Sequence, residues 1–315
     1  MLRPKSVVRA NASRVERTRE IEALIALLDD EDPEVFEHVS DKLKSFGTDI
    51  IPVLEEAWSS EFRPVLHERL ENLISEIHLD HILADLADWV AADDPDLITG
   101  ALLVARHHFN DLDADAARRQ LDGIHQTVWL EIGPHLTDLE KVNVLNQFIY
   151  QQFGFSGSYS ARNEVRHFCL NHVLDSKHGN SMSLSLLYLA IARALDLPVY
   201  GVPLHRHFIL AFTKGPLDDL GEGDLRREVI FYINPMNKGN VFSANEIKEY
   251  LKTMDVDDTP DQYTPCSDVD TVRHLVDALA TYYHHAGDFD KEASMRAMAA
   301  VLRPADDGRW TMDHG

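Results

Sequence analysis

Cysteine is almost absent from this chain. Among 315 residues only Cys169 and Cys266 occur, so no disulfide framework and no zinc knuckle can be read, and a reducing compartment fits. Long apolar runs are missing as well. No stretch approaches the ~20 residues that a membrane-spanning helix requires. Positive charge is scarce: 30 Lys+Arg face 53 Asp+Glu, for a net charge of −23, and lysine supplies ten of those cations against twenty arginines. A field of that sign repels nucleic acid and anionic membrane surfaces, so neither is an expected partner. Asp-rich runs recur at Asp29–Asp32, Asp93–Asp96 and Asp255–Asp258. They leave two origins open, an acidic surface suited to a high-salt cytoplasm and an ordinary acidic surface. Met1 to Glu20 is basic but has no apolar core and carries Glu16 and Glu20, which reads against a secretion signal. The expected location is the cytoplasm.

What is present is an apolar content of 44% at a mean hydropathy of −0.25, on a length that predicts two or three packed units. From about Arg19 to Val90 the pattern is helical throughout. Ile21, Leu24, Ile25 and Leu28 recur at helical spacing, and Asp32-Pro33 restarts a helix that Gly47 ends. Thr48 is the expected cap of the next helix, and Pro64 opens another. A second helical block covers Asp96 to Ile149, with a helix from Asp111–Asp115 to near Ile124 and a capping box at Thr137-x-x-Glu140. Gly154 to Asn171 reads as a loop. Ser181 to Leu195 is the most apolar helix, and Leu197–Val202, Phe208–Phe212 and Val229–Ile233 read as three short strands. Lys214–Arg227 is a polar hairpin loop, and Thr271 to Pro304 is helical again around Gly287-Asp288. The expected fold class is α+β and mostly helical, with a small antiparallel sheet. The predicted boundaries are 1–92 for a helical N-terminal region, 93–265 for the core and 266–315 for a helical C-terminal segment.

Three residues in chain order carry the chemistry. Ser181 lies at the start of the apolar helix, His207 at the start of a strand in His207-Phe208, and Asn234 in Ile233-Asn234-Pro235. A helix N-terminus favours an anion and lowers a thiol's pKa. A serine hydroxyl there stays protonated and needs a strong general base. An asparagine behind the histidine is a weaker orienter than a carboxylate; in a serine-protease triad that exchange costs about 10⁴ in turnover. Ser181 thus combines the weaker nucleophile with the weaker orienter. The structural alternative makes Ser181 a helix cap, His207 an imidazole bonded to Asn234 or a carbonyl, and Asn234 the holder of a turn.

This order resembles the transglutaminase-like superfamily, in which a cysteine begins a buried helix ending in a phrase like Ala194-Leu195-Asp196-Leu197-Pro198. The family's histidine and aspartate match His207-Phe208 and Ile233-Asn234-Pro235. A narrower resemblance, to the SirB-type bacterial family, rests on Cys169-Leu170-Asn171, Gly179-Asn180, Ser183-Leu184-Ser185-Leu186, Gly201-Val202 and the C-terminal helices. That family joins a transglutaminase-like core to a tetratricopeptide segment and commonly carries proline where the enzymes carry cysteine. The chain departs from it in a HEAT-like N-terminal extension and in His205-Arg206 before the histidine. The resemblance implies a cleft at Ser181, His207 and Asn234, lined by Asn171, Gly179, Asn180, Ser183 and His205, in a degenerate site without cysteine. It implies a protein or peptide partner for a binding or regulatory module; the alternative is a hydrolase or acyltransferase using Ser181.

No metal or cofactor is expected. His205-x-His207 on a strand would put both rings on one face, but no Asp, Glu or Cys at ligand spacing completes a site. His107-His108 and His284-His285 fall on predicted helices, where neighbours diverge by about 100°. Cys169 reads as a buried structural cysteine.

Overall fold

The computed structural model describes residues 19–158, 164–205, 207–219, 223–257, 259 and 262–303. The chain divides into two compact units, residues 1–84 and 85–315. The described residues of the first form helices and the turns between them: α1 (residues 19–27), α2 (Pro33–Lys44), α3 (Ile51–Ser60) and the greater part of α4 (Pro64–Val90). Asp32 caps α2, its side chain accepting from Glu34 N–H at 2.9 Å, with Pro33 opening the helix. Leu28, Leu43, Ile50, Leu54, Leu66 and Leu70 form the core of this unit. Arg69 closes the α1–α2 turn by donating to the carbonyls of Leu28 and Asp30. Thr48 does not cap α3. The chain turns through a 3-10 segment, Gly47–Ile50, and α3 follows directly without a side-chain cap. Gly47 makes that turn at φ +67°, which an L side chain rarely adopts.

The second unit begins with the last turns of α4 and continues through α5 (Leu97–Arg106), α6 (Ala114–Trp129) and α7 (Asp138–Asn146). Asp96 and Asp113 cap α5 and α6, and the capping box at Thr137 and Glu140 forms as the sequence predicts. Helix α6 runs on past Ile124 to Trp129, which is exposed. A π-helical stretch, Gln147–Gln152, follows α7 directly. Then come β1 (Ser156–Gly157), α8 (Leu170–Ser176), β2 (His178–Gly179) and α9 (Ser181–Ala194). The strands β1 and β2 pair in parallel. The main sheet is antiparallel, in the order β3 (Val199–Leu204), β4 (His207–Thr213), β5 (Val229–Asn234) and β6 (Asn240–Phe242). The strand β6 has no counterpart in the three strands read from sequence. Helices α10 (Ala244–Thr253), α11 (Asp268–Ala286) and α12 (Phe289–Val301) complete the unit.

The two faces of the sheet are separated by strand alternation. Ile209 and Ala211 point to one side, where Val202, Tyr232, Ile247, Leu251 and Tyr263 join them in a core that α10 covers. Phe208 points the other way, its ring 5.9 Å from that of His274 on α11. Helix α9 packs on β3 and β4, and α11 packs on β3, α5 and α12. Ten of the fourteen residues of α9 are buried, so its helical period is hidden within an apolar run.

Close packing decides one substitution in this unit. At Gly100 an added Cβ would lie 2.5 Å from Cζ2 of Trp89, whose indole donates to the Asp96 carbonyl at 2.9 Å. Alanine gains about 1 kcal/mol of helix propensity over glycine, whereas overpacking costs about 1–3 kcal/mol. Gly100→Ala is therefore expected to lose about 1 kcal/mol in urea unfolding. A midpoint that stays or rises would show that Trp89 yields without cost.

Candidate functional site

The helix α9 begins at a built corner. Asn180 is its N-cap, accepting from Ser183 N–H at 3.0 Å through Oδ1, while Asn180 N–H donates to Ser183 Oγ at 3.1 Å. This reciprocal pair is a capping box. Ser181, expected as the cap, is instead the first helical residue. Its carbonyl accepts from Ser185 Oγ at 2.7 Å. Ser183 Oγ also donates to the His167 carbonyl at 2.6 Å, anchoring α9 to the 3-10 segment Val165–Phe168. Asn180 and Ser183 are buried and so form the frame of the corner, not an open wall. At Gly179 a Cβ would meet Ser183 Oγ at 2.5 Å and Val173 Cγ2 at 2.9 Å. Glycine is what lets β2 pass this close to the helix start.

His207 and Asn234 are placed by the sheet. Leu204 pairs with His207, and His205 lies in a turn after β3 and not on a strand. His207 shares the face of Ile209 and Ala211, the α10 side. Its ring lies 6.0 Å from that of Tyr250 on α10. The residue is exposed, yet partial burial of the ring, and then the neighbouring His205, lower its pKa. Asn234 ends β5 and holds the following turn, its Oδ1 accepting from Met236 N–H at 3.0 Å and Asn237 N–H at 3.3 Å. That turn lies beside β1, since a Cβ on Gly157 would meet Met236 Sδ at 2.9 Å.

Among the described residues, no hydrogen bond joins Ser181, His207 and Asn234 to one another. The core on the His207 side draws on β3, β4, β5 and α10 and contains no α9 residue. Neither thiol offers a replacement nucleophile: burial pushes both Cys169 and Cys266 up to about 12, far from the thiolate range at neutral pH. No group of three His, Cys, Asp or Glu among the described residues could hold a metal ion. Among the described residues Ser181 has no hydrogen-bonded base.

Asn171 lies elsewhere. It sits on α8 at the wall of a pocket of about 530 Å³, which His108, Asp111, Asp113, Gln120 and Asp175 also line. Ser181, His207 and Asn234 take no part in it. Sequence reading did not join Asn171 to His108, Asp111 and Asp113 of the α5–α6 connection, Gln120 of α6 or Asp175 of α8, and no local motif marks that grouping. Two buried phenols were also missed. Tyr150 on the π-helical stretch and Tyr188 on α9 have hydroxyls without a hydrogen-bond partner among the described residues, and burial raises both pKa values.

A family profile described as "Transglutaminase-like superfamily" matches residues 115–277, just over half of the chain. The chain belongs to that superfamily. A UPF0162 protein of Xylella fastidiosa is 28% identical over 156 residues, covering 50% of this chain and 51% of the relative. F-box only protein 21 of Mus musculus is 31% identical over 111 residues, 35% of this chain and 17% of that protein. A UPF0162 protein of Vibrio cholerae is 24% identical over 159 residues, covering 50% of this chain and 54% of the relative. The chain spans about half the length of the UPF0162 relatives that it matches. No solved structure matches it.

Proposed function

We propose that this member of the transglutaminase-like superfamily is a non-catalytic binding protein, which keeps the family's framework to hold a protein or peptide. The observation that carries this reading is that, among the described residues, no hydrogen bond links Ser181 to His207, whose ring lies 6.0 Å from that of Tyr250. A serine without a positioned base is a poor nucleophile. The start of α9, by contrast, is tied by hydrogen bonds among Asn180, Ser183 and the His167 carbonyl.

The finer parts of the reading belong to the same proposal. Gly287 in a left-handed C-cap and Asp288 as the next N-cap join α11 to α12 in a tight helical hairpin. That fits a single tetratricopeptide-like unit docked on the core, as in the SirB-type family. The helices α1 to α3 fit a HEAT-like arrangement, and a cytoplasmic setting fits two thiols that form no disulfide.

The test is covalent labelling by a fluorophosphonate, run on the full chain beside Ser181→Ala. The expected result is no adduct on either protein by intact mass. An adduct on the wild type that Ser181→Ala abolishes would replace the binding reading by a hydrolase or acyltransferase.

A further inference from the structure

We propose that the chain's own basic N-terminal stretch, residues 1–18, docks on an apolar patch at the α3–α4 connection of the first unit. This goes beyond the reading at Ser181 and does not rest on it. Phe62 lies in that connection with 92% of its surface exposed, the most of any large hydrophobic residue among those described. Trp58 near the end of α3, Val65 in the first turn of α4 and Leu27 at the end of α1 are exposed as well.

The patch sits on a pinned connection. Glu61 Oε1 accepts from both Phe62 N–H and Arg63 N–H at 2.8 Å. The Arg63 guanidinium donates to Glu61 at 2.7 Å and to Asp29 at 2.6 Å, which ties the connection to the α1–α2 turn. The ring of Trp58 lies 4.5 Å from that of His67 on α4. Aromatic side chains gathered on one exposed surface mark an interaction site.

The charges around the patch select its occupant. Glu55 stands one turn before Trp58 and Glu68 one turn after Val65, so each shares a helix face with an apolar member of the patch. Both are exposed, and neither has an ion-pair partner among the described residues. Residues 19–84 hold seventeen acidic and five basic side chains, net −12. Residues 1–18 hold Arg3, Lys5, Arg9, Arg14 and Arg17 against Glu16 alone, net +4, together with the aliphatic Leu2, Val7, Val8 and Val15. A basic and aliphatic stretch thus faces an apolar patch flanked by carboxylates. A second copy would instead bring the same negative charge to the same patch, which opposes self-association.

The stretch is joined within reach. Helix α1 has nine residues and is about 13 Å long. Its far end lies next to the turn that Asp29 and Arg63 tie to Phe62. From Arg19 back to Val8 the chain can span about 36 Å when extended. Because the contact is made within one chain, the effective concentration is of millimolar order and a weak contact is enough.

The experiment is hydroxyl-radical footprinting of the full chain, with side-chain oxidation read by mass spectrometry. Oxidation follows side-chain access, so covering the patch in two-thirds of the molecules slows Phe62 about threefold. Phe62 is expected to oxidise at least threefold faster in Val7→Ser/Val8→Ser than in the wild type, and at least twofold faster in Arg9→Glu/Arg14→Glu. Phe289 and Trp129, exposed in the other unit, should change less than 1.5-fold in both variants. In a second arm Val8 is replaced by p-benzoylphenylalanine and the full chain is irradiated; the expected product is a cross-link within one chain to residues 55–68. Equal oxidation of Phe62 in the wild type and both variants overturns the proposal, as does a rise at Phe289 and Trp129 that matches the rise at Phe62. A cross-link confined to other residues, or one that joins two chains, overturns it too. Labelling at Ser181 bears on neither arm.

Discussion

Lowering the pH from 6.5 to 4.5 is expected to remove about 4 kcal/mol of unfolding free energy, about 2 kcal/mol from each of two buried histidines. His108 lies between α5 and α11, bonded to Tyr283, and is held down to about 3 by burial and by the nearby His107 and Lys291. His274 on α11, against Phe208, is held to about 4 by burial and then Arg273, with Asp270 opposing. Both folded-state values lie below the ordinary histidine value of about 6.5. The unfolded chain therefore binds two protons in this window that the folded chain refuses. Stability is full above about pH 6.5 and falls as the pH drops toward the folded-state values. Carboxylates held low by their partners, such as Asp96 and Asp288, add losses mainly below this window. Asp277, raised by burial, works in the opposite direction.

Urea unfolding at pH 6.5, 5.5 and 4.5 measures the slope. His274→Phe keeps a ring against Phe208 and removes one titrating group, so the acid loss should fall by about half. The double change His108→Gln/His274→Phe should remove most of the loss above pH 4.5, whatever it does to stability at neutral pH, with His172 and His207, which burial also lowers, keeping a remainder. A slope that survives the double change undiminished would assign the acid sensitivity to other groups.

Local chemistry made much of the fold legible. Asp32 before Pro33, Asp96, and the Thr137–Glu140 box each mark a helix start by satisfying its free N–H groups, and each does so in the structure. Three strands were visible from their β-branched and aromatic runs. The fourth, Asn240–Phe242, is three residues long between Gly239 and Ser243, too short for alternation to show. Thr48 looked like a cap because its neighbours are helical, but the chain crosses it in a 3-10 turn and needs none. Trp129 extends α6 beyond the last buried position, Val128, so no apolar period announced it. At the site, both Asn180 and Ser181 are capping residue types. The choice between them was made by Ser183, three residues after Asn180 and tied to His167 in another segment. Nothing local could reveal the pocket, since His108, Asp113 and Asn171 meet only through the packing of α5, α6 and α8.

Replacing Ser183 by alanine is expected to cost about 3 kcal/mol of stability, while Ser181→Ala costs less than about 0.5 kcal/mol. Ser183 is wholly buried, and its hydroxyl serves two partners: it accepts from Asn180 N–H and donates to the His167 carbonyl. Alanine deletes both bonds in a place water does not reach. Each buried partner then bears a desolvation cost of about 1–3 kcal/mol, and the capping box of α9 is halved. Asn180 N–H retains only its 3.3 Å contact with the His167 carbonyl, which softens the loss. Ser181 stands one residue away on the same helix turn, partly exposed, and uses only its carbonyl, in a bond that alanine also makes. Urea unfolding of the two variants at one pH decides the matter. Equal losses would mean that Ser181 carries structural weight that its contacts do not show. A large loss for Ser183 alone would establish that the start of α9 is held by Asn180, Ser183 and His167, independently of what occupies position 181. That independence would leave position 181 free to change while the fold around it stays intact.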